Sequence, residues 1–276
     1  MKYAPMLAGE ISPSMLVNYA PMEWVAEPKF DGERALVYFT DGKIKILNRE
    51  GRDNTFRWKP EISQIPKLEG AYVFDCEMCV LDGRGVSDFG LLQKRSHKQN
   101  AFDIELASKK YPSIFYVFDI LVFKGVDVCN QKLCDRRQLL AGIFNGGVSN
   151  PVFKLANHMS NLLQAYEQAE LEGWEGIMIK RFDSAYENGK RSKAWLKVKC
   201  RRLTELVVSD FEEDGNGFTA LLDNDGTRHR VGVNGVSDRN LIKQNLKAGV
   251  EVHMLVEFQE RTSTGHLRQP TCKKVW

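Results

Sequence analysis

The 276-residue chain lacks most of the features that assign a class at once. It has no low-complexity tract and no internal repeat, which excludes solenoids and propeller arrays. No apolar run approaches the length of a membrane span. Met1 to Val25 carries Lys2, Glu10 and Glu23 and no apolar run long enough for a signal peptide, so a soluble, intracellular protein with no membrane partner is expected. A bulk excess of one charge is also missing: 39 basic and 36 acidic residues leave a net charge of +3, which by itself announces no polyanion. Cysteine is sparse. Of six cysteines, Cys76-x-x-Cys79 and Cys129-x4-Cys134 invite a zinc reading. Against it, Cys76 and Cys79 lie in a strand-like run, where positions three apart point to opposite faces. Buried free thiols in a reducing compartment are the expected account.

What is present is an ordinary globular balance, 43% apolar and 27% charged, enough for one large domain or a medium and a small one. Charge is local. Asn188 to Leu203 holds Lys190, Arg191, Lys193, Lys197, Lys199, Arg201 and Arg202 and no acid. Arg261 to Trp276 holds Arg261, Arg268, Lys273 and Lys274, again without an acid. Such clusters suit phosphate contacts, with a solvated basic face as the alternative.

Residues 34–123 read mainly as strands. Ala35–Phe39 and Lys43–Leu47 flank Asp41-Gly42, a hairpin signal. Tyr72–Leu81 ends at Asp82-Gly83, and Ile114–Phe123 at Lys124-Gly125. Helical patterns follow over Asp135–Phe144 and Ser160–Glu172. The second has Ser160 as N-cap, Leu162, Leu163, Tyr166 and Ala169 on one stripe, and Gly173 as the stop. After residue 203 the pattern becomes three short strands (Leu206–Glu212, Phe218–Asp223, Thr227–Val233), a capped helix over Ser237–Lys247, and two more strands. The breaks between the first three fall at Asp214-Gly215-Asn216-Gly217 and Asn224-Asp225-Gly226. That order fits an oligonucleotide-binding (OB) barrel, with SH3-like barrels in competition.

Several strand-like runs carry charge amid apolar residues. Glu27-Pro28-Lys29-Phe30-Asp31-Gly32-Glu33-Arg34 places a lysine just before a strand, where partial burial favours the neutral, nucleophilic amine. Phe74-Asp75-Cys76-Glu77-Met78 buries two acids, and Phe118-Asp119 sits in an aromatic strand. Glu175-Gly176-Ile177-Met178-Ile179-Lys180 brackets an apolar run with opposite charges. Trp195-Leu196-Lys197-Val198-Lys199 alternates, so both lysines share a face. Each alone fits an edge strand with one wet face. Together they describe strands that line one charged cleft.

In their order, Lys29-x-Asp31-Gly32-x-Arg34, Asp75-x-Glu77, Phe118-Asp119, Glu175-Gly176-x-x-x-Lys180 and Trp195-Leu196-Lys197-x-Lys199, these runs resemble the motifs of the covalent nucleotidyltransferases, and within them the ATP-dependent DNA ligases. Asp88-Phe89-Gly90-Leu91-Leu92-Gln93-Lys94-Arg95 is similar to a stretch of the DNA-joining members. The tail from Phe258 to Pro270 looks like the end of small bacteriophage ligases. The resemblance implies an α+β fold: an antiparallel-sheet nucleotidyltransferase (adenylation) domain over 1–202, then a small OB-fold β-barrel over 203–276. The separate N-terminal DNA-binding domain of larger relatives and the usual C-terminal Arg-x-Asp-Lys motif are not legible; Arg268, Lys273 and Lys274 are candidates to replace the latter.

The implied activity is the sealing of 5′-phosphate/3′-hydroxyl nicks in duplex DNA, with ATP and Mg²⁺, through AMP held covalently on Lys29. By the same resemblance Glu27, Lys29, Arg34, Arg49, Glu77, Phe118, Lys180, Arg191, Lys197 and Lys199 contact the nucleotide, with Phe118 stacking on adenine and Glu27 at its amino group. Glu77 and Glu175 are the implied metal ligands. Arg34, Arg49, Arg201, Arg202, Arg268 and Lys273 are the implied DNA contacts. The partner is nicked duplex DNA, the chain is expected to be monomeric with a clamp or other replication partner open, and the setting is the cytoplasm of a bacterium or phage-infected cell. An RNA ligase or an mRNA capping-type enzyme shares the Lys-x-Asp-Gly core. A non-enzymatic nucleic-acid-binding protein is the remaining rival, and it has no use for a lysine amid carboxylates.

Overall fold

Asp41 and Gly42 adopt left-handed backbone (φ 50° and 73°), the geometry a two-residue hairpin needs, and they join the first long antiparallel pair. The computed structural model describes residues 3–148, 150–215, 217–224, 226–262 and 264–276; Asn216 and Asp225 of the expected turns and Ser263 of the tail lie outside the described residues. The chain divides into two compact units, Met1–Cys200 and Arg201–Trp276.

The first unit runs β1 (Leu7–Glu10), β2 (Trp24–Pro28), β3 (Glu33–Thr40), β4 (Lys43–Asn48), α1 (Lys59–Ile62), β5 (Tyr72–Val80), α2 (Phe89–Ser96), α3 (Ala101–Lys110), β6 (Ser113–Phe123), β7 (Val126–Asp127), α4 (Leu133–Ile143), β8 (Phe153–Leu155), α5 (Leu162–Glu172), β9 (Gly176–Arg181) and β10 (Arg191–Lys199). A six-stranded sheet has the order β4-β3-β5-β6-β7, with β8 also on β6, and a four-stranded sheet has the order β1-β10-β9-β2. Pairing is antiparallel except for β1 with β10 and β6 with β8. One core fills the outer side of the larger sheet, around Phe39, Phe74, Phe115, Phe153 and Trp58. Another lies under α5, around Leu162, Ala165, Ala169, Ile177, Ile179 and Val198. A third joins the two sheets: Leu36, Phe118 and Leu121 of the larger meet Trp195 of the smaller.

The second unit is one five-stranded antiparallel sheet and a helix. Its elements are β11 (Arg202–Asp214), β12 (Gly217–Asn224), β13 (Thr227–Gly232), α6 (Val236–Lys247), β14 (His253–Phe258) and β15 (Thr271–Val275), with sheet order β13-β12-β11-β14-β15. Its core, including Val208, Ala220, Leu222, Val231, Ile242, Met254 and Val256, is its own.

The structure corrects several local expectations. Residues 34–123 are not mainly strand: α1, α2 and α3 interrupt them. In α3 only Ile104 and Ala107 are buried, too thin a stripe to read as amphipathic. The cap of α5 is Asn161, which accepts from the Gln164 N–H at 3.1 Å, not Ser160. Leu163 is exposed and Ala165 takes its place on the buried stripe. Helix α6 starts at Val236, one residue before the expected Ser237, and it follows Gly235, which has no side chain to cap it. No helix among the described residues is long and apolar enough to cross a membrane.

Candidate active site

The residues that carry charge in the strands of the first unit converge on a cavity of about 370 Å³, within the range of small-ligand sites. Glu27, Lys29, Arg34, Arg49, Glu77, Phe118, Glu175, Lys180, Arg191, Lys197 and Lys199 all line it. These residues therefore meet in space although they are up to 172 positions apart, from Glu27 to Lys199. Arg201, Arg202, Arg268 and Lys273 are not among its lining residues. Arg202 is exposed at the start of β11, Arg268 pairs with Glu260 at 2.8 Å, and Lys273 pairs with Glu257 at 3.1 Å.

Lys29 follows β2 and is fixed at both ends. Its backbone N–H donates to the Gly176 carbonyl at 2.9 Å, and its ammonium pairs with Glu175. Two glycines make this possible. Gly176 has φ 147°, and a Cβ there would overlap the Val198 carbonyl of β10. A Cβ on Gly32 would lie 2.8 Å from Glu77 Cγ and overlap the Met78 carbonyl, so the turn after Lys29 sits directly on β5. Asp31, 7% exposed, ties that turn to α2: its N–H donates to Ser87 Oγ at 2.9 Å and its Oδ2 accepts from the Phe89 N–H at 3.3 Å.

The acids divide by surroundings. Asp75 is fully buried and neutralised: it accepts from Arg34 Nε and Nη2 at 2.5 and 2.6 Å and from the Tyr186 hydroxyl at 2.5 Å. Glu77, two residues on, faces the cavity. Burial pushes its carboxyl up to about 8, opposed by Arg34 and Lys29 and reinforced by the negative charge of Glu175. Glu27 is 2% exposed and lies between two cations: it pairs with Arg137 and, at 2.6 Å, with Lys180. The Phe118 ring is 7% exposed, with Lys180 Nζ 4.4 Å and Arg34 Cζ 4.7 Å from its centroid. At the far wall Lys197 and Lys199 lie 2.9 and 3.8 Å from Glu10 of β1. Arg191 donates to the Ala8 carbonyl.

The sequence reading missed Arg136, Arg137, Glu10 and Tyr186. Arg136 and Arg137 are both buried, on consecutive positions of α4. Two adjacent arginines in a short helix are the one signal that points to them, since a single solvated face cannot take both. Arg95, inside the stretch similar to DNA-joining enzymes, is a packing residue: it is fully buried, bound to Glu61 at 2.9 and 2.6 Å and set 4.7 Å over Trp58. Cys76 and Cys79 are buried, and burial pushes both thiols well up. Among the described residues no group of three or more His, Cys, Asp or Glu is arranged to hold a metal by itself.

Several known proteins are similar to this chain. A family model described as ATP dependent DNA ligase domain matches residues 5–199. The multifunctional non-homologous end joining protein LigD of Mycolicibacterium smegmatis is 29% identical over 98% of this chain and 38% of its own length. DNA ligase 2 of Korarchaeum cryptofilum is 28% identical over 74% of this chain and 35% of its own length. The chain thus spans well under half the length of these curated relatives. Among solved structures, the ligase domain of M. tuberculosis LigD has a TM-score of 0.64 at 24% identity, covering 99% of this chain and 95% of that one. A structure from a study of Lig E DNA ligases has a TM-score of 0.71 at 18% identity, covering 100% of both chains. At these identities the structural likeness speaks to the fold.

Proposed function

The chain belongs to the ATP-dependent DNA ligase domain family, and from that premise we propose that it seals 5′-phosphate/3′-hydroxyl nicks in duplex DNA at the expense of ATP. The observation that carries the reading is the convergence of Lys29 with the carboxylates of Glu27, Glu77 and Glu175, an aromatic ring and further cations on one cavity. In the first step the Lys29 amine, having lost a proton, attacks the α-phosphorus of ATP. A nitrogen–phosphorus bond forms, the bond to the bridging oxygen breaks, and pyrophosphate leaves with that electron pair. Lys197 and Lys199 exchange Glu10 for phosphate oxygens and offset the charge that develops there. AMP then passes from Lys29 to the 5′-phosphate of the nick, and the 3′-hydroxyl displaces it.

Phe118 provides the stacking face for adenine and Glu27 faces the amino group of the base. Arg34 offers Nη1, which makes no bond among the described residues, while Nε and Nη2 hold Asp75. Arg49, Arg191 and Lys180 complete the nucleotide contacts, with Arg34 and Arg49 also serving the nick. Mg²⁺ fits this donor set: it is typically held by one or two carboxylates with substrate phosphates, and Glu77 and Glu175 provide two without a third. When bound it neutralises phosphate charge. The second unit, three strands, a helix and two strands with the first strand central, supports an OB-fold reading, and its Arg202, Arg268 and Lys273, with Arg201 beside them, are the proposed DNA contacts of that part. The test is a gel assay on a labelled nicked duplex with ATP and Mg²⁺. Sealing with ATP is expected; no sealing and no DNA-adenylate at any enzyme concentration would overturn the reading.

A further inference from the structure

Arg137 spans from the cavity wall to the surface. Its Nη1 donates to Glu27 Oε1, and its Nη2 lies 2.6 Å from His158 Nδ1 and 3.4 Å from the Ala156 carbonyl. A guanidinium cannot accept, so Nδ1 is the acceptor and the imidazole proton sits on Nε2. His158 is exposed, and burial of its inner edge together with the charge of Arg137 lowers its pKa, which keeps it a neutral acceptor. The segment that bears it cannot drift from Glu27. Met159 and Ala26 exchange both backbone hydrogen bonds, at 2.9 and 2.8 Å, directly before Glu27 on β2. Lys180, from β9, holds the other oxygen, Glu27 Oε2, at 2.6 Å. One cation on each oxygen, from two different elements, fixes the rotation of the carboxylate plane.

That rotation decides which base is read. A carboxylate accepts only. Free to turn, it accepts a hydrogen bond equally well from the amino group of adenine or from the ring and amino N–H groups of guanine, whose O6 it must avoid. Held in one orientation, it can satisfy one of these edges and meets the other with an unpaired or repelled group. We propose that Arg137 and His158 are positioning residues that lock the Glu27 carboxylate and thereby set the preference of this site for ATP over GTP. The inference rests on the reading of the cavity as the nucleotide site.

The test is the initial rate of covalent labelling of the full chain by α-labelled ATP and GTP, each over a range of concentrations, for wild type, Arg137→Gln, His158→Ala and His158→Asn. Removing a hydrogen bond to a charged group is expected to raise KM for ATP about tenfold and to lower the ATP:GTP preference by a similar factor. The labelling rate at saturating ATP should stay within about threefold, because neither residue reaches the phosphates. His158→Asn keeps a side-chain acceptor and should restore most of the preference. His158 is a surface residue, so its variants carry the test even where Arg137→Gln fails to fold. If wild type is labelled and the His158→Ala preference and KM are unchanged, the positioning role is wrong while the nucleotide site stands. If wild type is labelled by neither nucleotide, the parent reading falls and the inference falls with it.

Discussion

At the scale of single residues, the site spends stability on charge. Glu77 is held in surroundings that favour its neutral form, with a folded-state carboxyl of about 8 against an ordinary 4.5. Between those values the folded protein binds more protons than the unfolded one, so stability contributed by this group is lost as pH rises from 4.5 towards 8. Glu77→Gln removes the titrating group. At pH 8 the unliganded variant should melt at least about 2 °C above wild type, the gap should close below pH 4.5, and nucleotidyl transfer should be lost. Thermal melts across that range check it; equal melting temperatures at pH 8 would mean that Glu77 is not strained by its site. Glu77 was legible in the sequence because an acid inside an apolar strand has few structural uses. Glu175 was legible because it and Lys180 bracket an apolar run with opposite charges. Glu10 was not, because an exposed acid near a chain end looks like any other.

At the scale of elements, α4 fastens the two sheets of the first unit together. Arg136 binds Asp119 of β6 through Nε and Nη2 at 2.7 and 2.8 Å, both side chains fully buried, while the next residue, Arg137, binds Glu27 of β2. Arg136 further donates to the Gln131 and Ser184 carbonyls at 2.6 and 3.0 Å. Arg136→Leu would leave Asp119 as an uncompensated buried charge and should cost about 3–5 kcal/mol in a urea denaturation series. Adding Asp119→Leu should recover a large part of it, and a single-variant loss below about 1 kcal/mol would contradict the account. The hairpins were legible, since Asp-Gly and Lys-Gly breaks mark register changes by backbone chemistry alone. The short helices α1 to α3 were not, since each buries only a few side chains and draws its stability from tertiary packing rather than from its own pattern. The cross-links of α4 depend on partners 17 and 110 positions away, which no local window contains.

At the scale of the molecule, the chain divides into two units, each with a core of its own. The proposed division of labour places AMP chemistry in the first and part of the DNA grip in the second. Deleting Arg201–Trp276 should slow lysyl–AMP formation, since closure of a second domain commonly completes such sites. It should also weaken binding to a nicked duplex and make its salt dependence shallower by about 0.9 per lost phosphate contact, or roughly 1–3 in slope for the loss of one to three contacts. Binding titrations at several salt concentrations read this directly, and an unchanged slope would remove the second unit from the DNA interface.

The central claim is that Lys29 is the nucleophile, and intact-mass measurement of the full chain after incubation with ATP and Mg²⁺, without DNA, tests it most directly. The account predicts a gain of one adenylyl group, lost in acid as a phosphoramidate is, and absent from Lys29→Ala while the variant keeps its fold. An adduct of the same mass on Lys29→Ala, or none on the wild type, would contradict it.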